Sequence, residues 1–140
     1  MANIITNAYI NDILDELVSL GTGGKLVVRL LQNSAVGNVG VNIATWSNLQ
    51  AFEVTNGNGY TTGGVPLANV SKNNNKLTAN NVQWPASTIS ARYGVVVDIT
   101  NAEPEDQRVI MIIDFGSLLE STDGIFEIAW GSNGVLGLEI

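Results

Sequence analysis

The chain has 140 residues, six of them basic and thirteen acidic, for a formal charge of -7, and it contains neither cysteine nor histidine. That composition excludes disulfides, thiolate metal sites, a cysteine nucleophile and the Ser-His-Asp triad, and it removes the usual general base. The negative balance argues against nucleic acid, whose affinity rests on cationic contacts to phosphate, and against anionic membranes.

At the N-terminus, Met-Ala-Asn-Ile-Ile-Thr-Asn lacks a basic segment, and Asp12, Asp15 and Glu16 come soon after, so no signal peptide is expected. No apolar run approaches the ~18 residues of a membrane span. The reading is a soluble protein made without export, organised as one domain over 1–140, with an N-terminal helix or arm at 1–22 and a β-sandwich at 23–140.

Residues 7–20 carry Ile10, Ile13, Leu14, Leu17 and Val18 at three-and-four spacing, which predicts one amphipathic helix. Asn7 or Asn11 caps its start and Gly21 lies past its end. Gly21-Thr22-Gly23-Gly24 is a flexible break; it lacks the Lys-Ser/Thr ending that a phosphate loop would require. Leu26 to Leu31 is apolar on both parities and predicts a central strand. Residues 33–48 are looser, with a short strand inside 35–43 and Trp46 as an anchor for the next segment.

Ala51 to Val54 predicts a short strand, Asn56-Gly57-Asn58-Gly59 a turn, and Tyr60 to Val70 an irregular edge strand, because Pro66 cannot donate to a ladder. Ser71 to Lys76 reads as a polar turn and Leu77 to Trp84 as a strand that points Val82 and Trp84 inward and ends at Pro85. From Ser87 to Thr100 runs the longest alternation, with Ile89, Ala91, Tyr93, Val95, Val97 and Ile99 on one parity. Asn101 to Gln107 is an acidic loop; Val109 to Ile113 is apolar throughout, and Ser117 to Asp123 is a loop. Ile125 to Trp130 directs Phe126, Ile128 and Trp130 inward, and a Ser132-Asn133-Gly134 turn leads to a last strand. Many short strands separated by frequent turns are the pattern of an antiparallel sandwich or barrel, and the reading taken is a mainly β, jelly-roll-like antiparallel sandwich with one N-terminal α-helix.

Candidate chemistry is sparse. Asp114-Phe115-Gly116 spells a kinase metal motif but lacks every companion element, so it reads as a strand end. Glu103, Glu105 and Asp106 offer oxygen ligands of the kind calcium takes, without an EF-hand pattern. Asp114 and Glu127 are the carboxylates for a glycosidase-like pair, although nothing in the sequence brings them together. Asn69-Val70-Ser71 matches a glycosylation sequon and is read as chance. Of Trp46, Tyr60, Trp84 and Trp130, the second tryptophan and the last sit at inward parity, which leaves Trp46 and Tyr60 as candidates for a contact surface that binds carbohydrate. Arg92 lies on the polar parity of the long strand, is a candidate for the contact surface with Trp46 and Tyr60, and reads as an ion-pair partner between subunits or sheets.

A resemblance adds to these readings. Its residues are the Ile-Thr-Asn-Ala start, Tyr60-Thr61-Thr62-Gly63-Gly64-Val65-Pro66-Leu67-Ala68, Trp84-Pro85, and Thr88-Ile89-Ser90-Ala91-Arg92-Tyr93. Ile113-Asp114-Phe115-Gly116, Gly124 to Trp130 and Gly134 to Leu138 complete the order. The chain resembles the small virion structural proteins of tailed bacteriophages, of the capsid decoration or cement type. That resemblance implies a non-enzymatic β-sandwich without cofactor or metal. It implies a homotrimer partnered with the major capsid protein on the outer surface of the head. A tail or fibre-tip module that binds host carbohydrate is the alternative, and a carboxylate-based glycosidase is a distant third.

Overall fold

The computed structural model describes residues 2–6, 25–73, 76–131 and 134–137. The chain is mainly β, and among the described residues every strand pairing is antiparallel. Ten strands are described: β1 Ala2–Ile5, β2 Leu26–Leu31, β3 Val65–Pro66, β4 Ser71–Asn73, β5 Lys76–Thr78, β6 Val82–Ser87, β7 Ser90–Asp98, β8 Arg108–Glu120, β9 Gly124–Ile128 and β10 Leu136–Gly137. They form a five-stranded sheet in the order β1-β8-β7-β2-β3, a three-stranded sheet β10-β5-β4 and a ribbon β6-β9. The expected helix over 7–20 lies outside the described residues. No helix among the described residues is long and apolar enough to cross a membrane.

The five-stranded sheet is buried on both faces, which explains why its central strands lack a polar side. Leu26, Val28 and Leu30 of β2 join one core with Trp84 of β6, Phe126 and Ile128 of β9, and Leu77 of β5. Val27 and Leu31 face a second core with Ala35, Trp46 and Leu49, contributed by the loop between β2 and β3. That loop forms short 3-10 turns at Asn33–Ala35, Trp46–Asn48 and Gln50–Phe52 instead of the strands expected at 35–43 and 51–54. Each fully buried aliphatic side chain contributes about 1.5–3 kcal/mol relative to exposure, so two cores on one sheet make its centre the stable heart of the molecule.

The alternation through β7 does not serve a single face. Ile89 and Ala91 enter the first core, whereas Tyr93, Val95 and Val97 enter the second. The switch occurs where Ala91 faces Leu119 and Tyr93 faces Asp114, so two steps on β7 are matched by five on β8. A second irregularity lies between Val96↔Met111 and Val97↔Val109. The extra residue there lets Ile110 and Met111 both enter the first core, as a β-bulge does.

Other boundaries also moved. Ser71–Asn73 and Lys76–Thr78 pair as a hairpin where a polar turn was expected. The strand expected over 77–84 is split in two, and β6 runs through Pro85 to Ser87. Proline is tolerated there because β6 pairs only with β9 among the described residues. β8 continues to Glu120, through the loop expected from Ser117. Pro66 does sit on an edge strand, β3.

Two crossings carry the chain between the five-stranded sheet and the ribbon, from β6 to β7 and from β8 to β9. They are tied to one another. Ile89 and Ser121 exchange backbone hydrogen bonds at 3.2 and 2.8 Å. The Ser87 hydroxyl, fully buried, donates to the Trp84 carbonyl at 2.8 Å and lies 2.9 Å from the Ser121 hydroxyl. Gly59 has φ of +94°, and a Cβ there would lie 2.6 Å from Ser87 Cβ, so only glycine lets the 57–60 turn approach this corner.

Candidate functional site

Arg29 is a charged residue on the β2 face that otherwise holds Val27 and Leu31, and it is only 8% exposed. A buried guanidinium needs partners for its donors. Its Nε donates to the Gly63 carbonyl at 3.0 Å and its Nη1 to Gln107 Oε1 at 3.1 Å. The guanidinium lies 4.6 Å from the centre of the Trp46 ring, within cation–π range. Gln107 is held in turn, donating through Nε2 to the carbonyls of Asn101 and Ala102. Trp46 is fixed by its backbone N–H, which donates to the Gln107 carbonyl at 2.9 Å.

Tyr60 and Glu53 complete this assembly from the other side of β2. β3 pairs with β2 only at Val27 and Val28, which leaves the strand edge beyond them to be closed by other groups. The Leu30 N–H donates to the Tyr60 hydroxyl at 3.2 Å, and the Leu30 carbonyl accepts from Val54 N–H at 2.9 Å. The Tyr60 hydroxyl donates to Glu53 Oε2 at 2.6 Å, and the Gly63 N–H donates to the same oxygen at 2.9 Å. Burial, then the bond to Glu53, pushes the Tyr60 hydroxyl far above its ordinary range. Burial pulls the Arg29 guanidinium down, against the attraction of Glu53. A hydroxyl so hard to ionise is a poor proton donor, and its bonds run to the protein's own backbone and carboxylate. The arrangement braces a strand edge.

Trp46 and Tyr60 are therefore not surface rings. They are 3% and 2% exposed, which corrects the expectation of a contact surface built on them. A loop position did not mean exposure, because these loops are the covers of two cores. Tyr60 instead stacks inside with Trp84, ring centres 6.2 Å apart, and Trp84 meets Phe126 edge-on at 6.0 Å. Trp130 is half-buried, with its Nε1 donating to the Asn80 carbonyl at 3.0 Å.

Arg92 pairs with Asp114 on the neighbouring strand of its own sheet, which corrects the expectation of an ion pair between subunits or sheets, and its guanidinium sits 4.6 Å from the Tyr93 ring centre. The Arg92 bond, and after it a Gly116 N–H at 2.8 Å, holds the Asp114 carboxyl below its usual range. Glu127 is engaged elsewhere, accepting from Gln83 Nε2 across the β6-β9 ribbon. The two carboxylates considered as a pair thus have separate partners. Glu103, Glu105 and Asp106 surround a 3-10 turn at Pro104–Asp106, and among the described residues no group of three or more acidic side chains is placed to hold a metal.

The surface feature that sequence reasoning missed is apolar. At the crossing from β8 to β9, Leu118, Leu119 and Ile125 are 41%, 42% and 62% exposed. Leu119 and Ile125 line an open depression of about 220 Å³ together with Glu120, Phe126 and Glu127. A signal was present: Ile125 shares its parity with Glu127, opposite to buried Phe126 and Ile128. No protein-family model matches the chain, and no curated protein or solved structure does either.

Proposed function

We propose that this chain is a non-enzymatic structural protein of a tailed-phage virion, a capsid decoration or cement protein folded as a jelly-roll-like β-sandwich. The observation that carries the reading is the exposed apolar pair Leu119 and Ile125, which line one depression between the exposed end of β8 and a β9 strand anchored through Phe126 and Ile128 in the first core. Large exposed aliphatic side chains grouped with acidic neighbours are typical of a surface that meets other protein. The ordered sequence motifs from Tyr60 to Leu138 that resemble decoration proteins support the same reading.

In this proposal the protein assembles as a homotrimer and joins the major capsid protein on the outside of the head. Burial of its faces across junctions between capsid subunits supplies free energy against outward pressure from packaged DNA. Its acidic surface is compatible with a site away from the nucleic acid. Burial of the Trp46 and Tyr60 rings takes away the sequence feature that favoured glycan binding.

The test is addition of the purified protein to phage heads that lack it, with solution mass measured by light scattering. A trimer that binds these heads and raises their melting temperature is the expected result. A protein that ignores heads and binds host cells or glycans would overturn the reading.

A further inference from the structure

We infer that the β8-β9 corner is the face that docks on the shell, and that it takes a protein surface with an apolar centre and a basic rim. This inference rests on the decoration reading and adds to it the contact face and its chemistry. The corner has a centre of Leu119 and Ile125, with Glu120 and Glu127 lining the same depression and Asp123 exposed in the turn between the strands. All three acids lie on the solvent side of the chain. Arg92, on the strand beside this end of β8, does not balance them, because Asp114 occupies its guanidinium.

Charge decides between occupants. A second copy docked by the same corner about a two-fold axis would set one acidic rim, Glu120 and Glu127, against the other. Like charges across an interface disfavour that pairing, whereas lysines and arginines around an apolar centre complement it. The two crossings beside the corner are tied together, by Ser87 to Ser121 and by Ser121 to Ile89. Ile125 itself makes little use of its side chain for folding, at 62% exposure.

The experiment uses full-length protein and heads purified without it, and compares the parent with Ile125→Glu, Leu119→Glu and the double charge reversal Glu120→Lys/Glu127→Lys. Val41→Glu, at an exposed valine in the loop between β2 and β3, is the control. Melting temperature and solution mass are measured for every variant. Expected are folded proteins of parental mass, head binding weakened at least about tenfold by each corner change, and unchanged binding for the control. Parental binding should also weaken as salt is raised, and the charge reversal should remove most of that dependence.

Corner variants that bind heads as the parent does would overturn the inference and leave the decoration reading standing. A parent that does not bind heads overturns the reading itself, and the docking assignment with it. Corner variants that fall to a smaller mass would show a subunit interface instead and overturn the assignment. Should Leu119→Glu fail to fold because of its neighbour Phe126, Ile125→Glu and the charge reversal still decide the matter.

Discussion

Two regions of this protein handle an out-of-place side chain in opposite ways. At β2 a charge sits on an apolar face, and the chain closes around it: Arg29 is bonded to Gly63 and Gln107 and covered by Trp46. At the β8-β9 corner apolar side chains sit on the polar face, and nothing among the described residues closes over Leu119 and Ile125. The asymmetry has an energetic cause. An unpaired buried guanidinium is expensive enough to dictate the path of the loops near it, whereas an exposed isoleucine costs the fold almost nothing. A side chain that the fold must satisfy reports on structure; one that the fold leaves alone is free to report on a partner.

The sharpest way to break the closed region is through its glycine. Gly64 has φ of +77°, and a Cβ there would press on the Val28 carbonyl, 2.8 Å from its carbon and 2.8 Å from Arg29 Cγ. Both strain and clash fall on backbone that cannot move without unpairing β3 from β2. Gly64→Ala is expected to lose more than about 3 kcal/mol by denaturant titration, the largest effect predicted for a single methyl group in this chain.

Tyr60→Phe comes next. It removes the donor to Glu53 and leaves the buried Leu30 N–H without its acceptor, for an expected loss of about 2–3 kcal/mol. The substitution also carries a pH signature. In the folded protein the Tyr60 hydroxyl holds its proton well beyond its ordinary value of 10.0, whereas the unfolded chain releases it there. The folded state therefore binds more protons above that pH, and its stability declines as pH rises. Parent stability should fall above about pH 10, and Tyr60→Phe should flatten that slope. An equal slope in both proteins would mean that Tyr60 is not enclosed as described.

Much of the β layout could be read from the sequence because alternation and turn residues are local signals. β2 and the buried run of β8 are legible as continuous apolar runs, and the Phe126/Ile128 pair from parity. The long row on β7 misled because parity assumes a regular strand and carries no information about a break in the pairing. Its split between two cores falls at the irregular register between Ala91 and Tyr93, opposite Leu119 and Asp114. Trp46 and Tyr60 were misplaced for a related reason: whether a loop covers a core is a tertiary fact. Arg29 was the clue to that cover, since a lone charge in an apolar strand asks for a buried partner. Glu53, Tyr60 and Gln107 lie 24, 31 and 78 residues beyond it, and no local pattern links them.

The corner can be tested in the same terms. Ser87 is its internal tie, so Ser87→Ala should lower stability by about 1–2 kcal/mol by leaving the Trp84 carbonyl without its donor. Ile125→Thr should change stability by less than about 0.5 kcal/mol, because the side chain is largely in solvent. The contrast separates the groups that hold the corner together from those it presents. A large loss for Ile125→Thr would mean that the residue belongs to the fold, and it would remove the basis for a docking face.

The smallest effect is expected between the two regions, at Arg92 and Asp114. This pair is near the surface, so water and salt screen it. Its mark is therefore a dependence on conditions more than a large shift in midpoint. Asp114 in the folded protein loses its proton below its ordinary value of 3.8, because Arg92 and the Gly116 N–H favour the anion. The stabilisation is present above that pH and is lost as the pH falls through the lowered value. Asp114→Asn retains an oxygen for Gly116 and removes the charge. Parent and variant should differ slightly near neutral pH, converge in acid, and converge again at about 1 M salt, where the screening length is ~3 Å. A gap that survives both acid and salt would assign the role of Asp114 to the turn at Gly116 and leave Arg92 stacked on Tyr93 with no energetic part in joining β7 to β8.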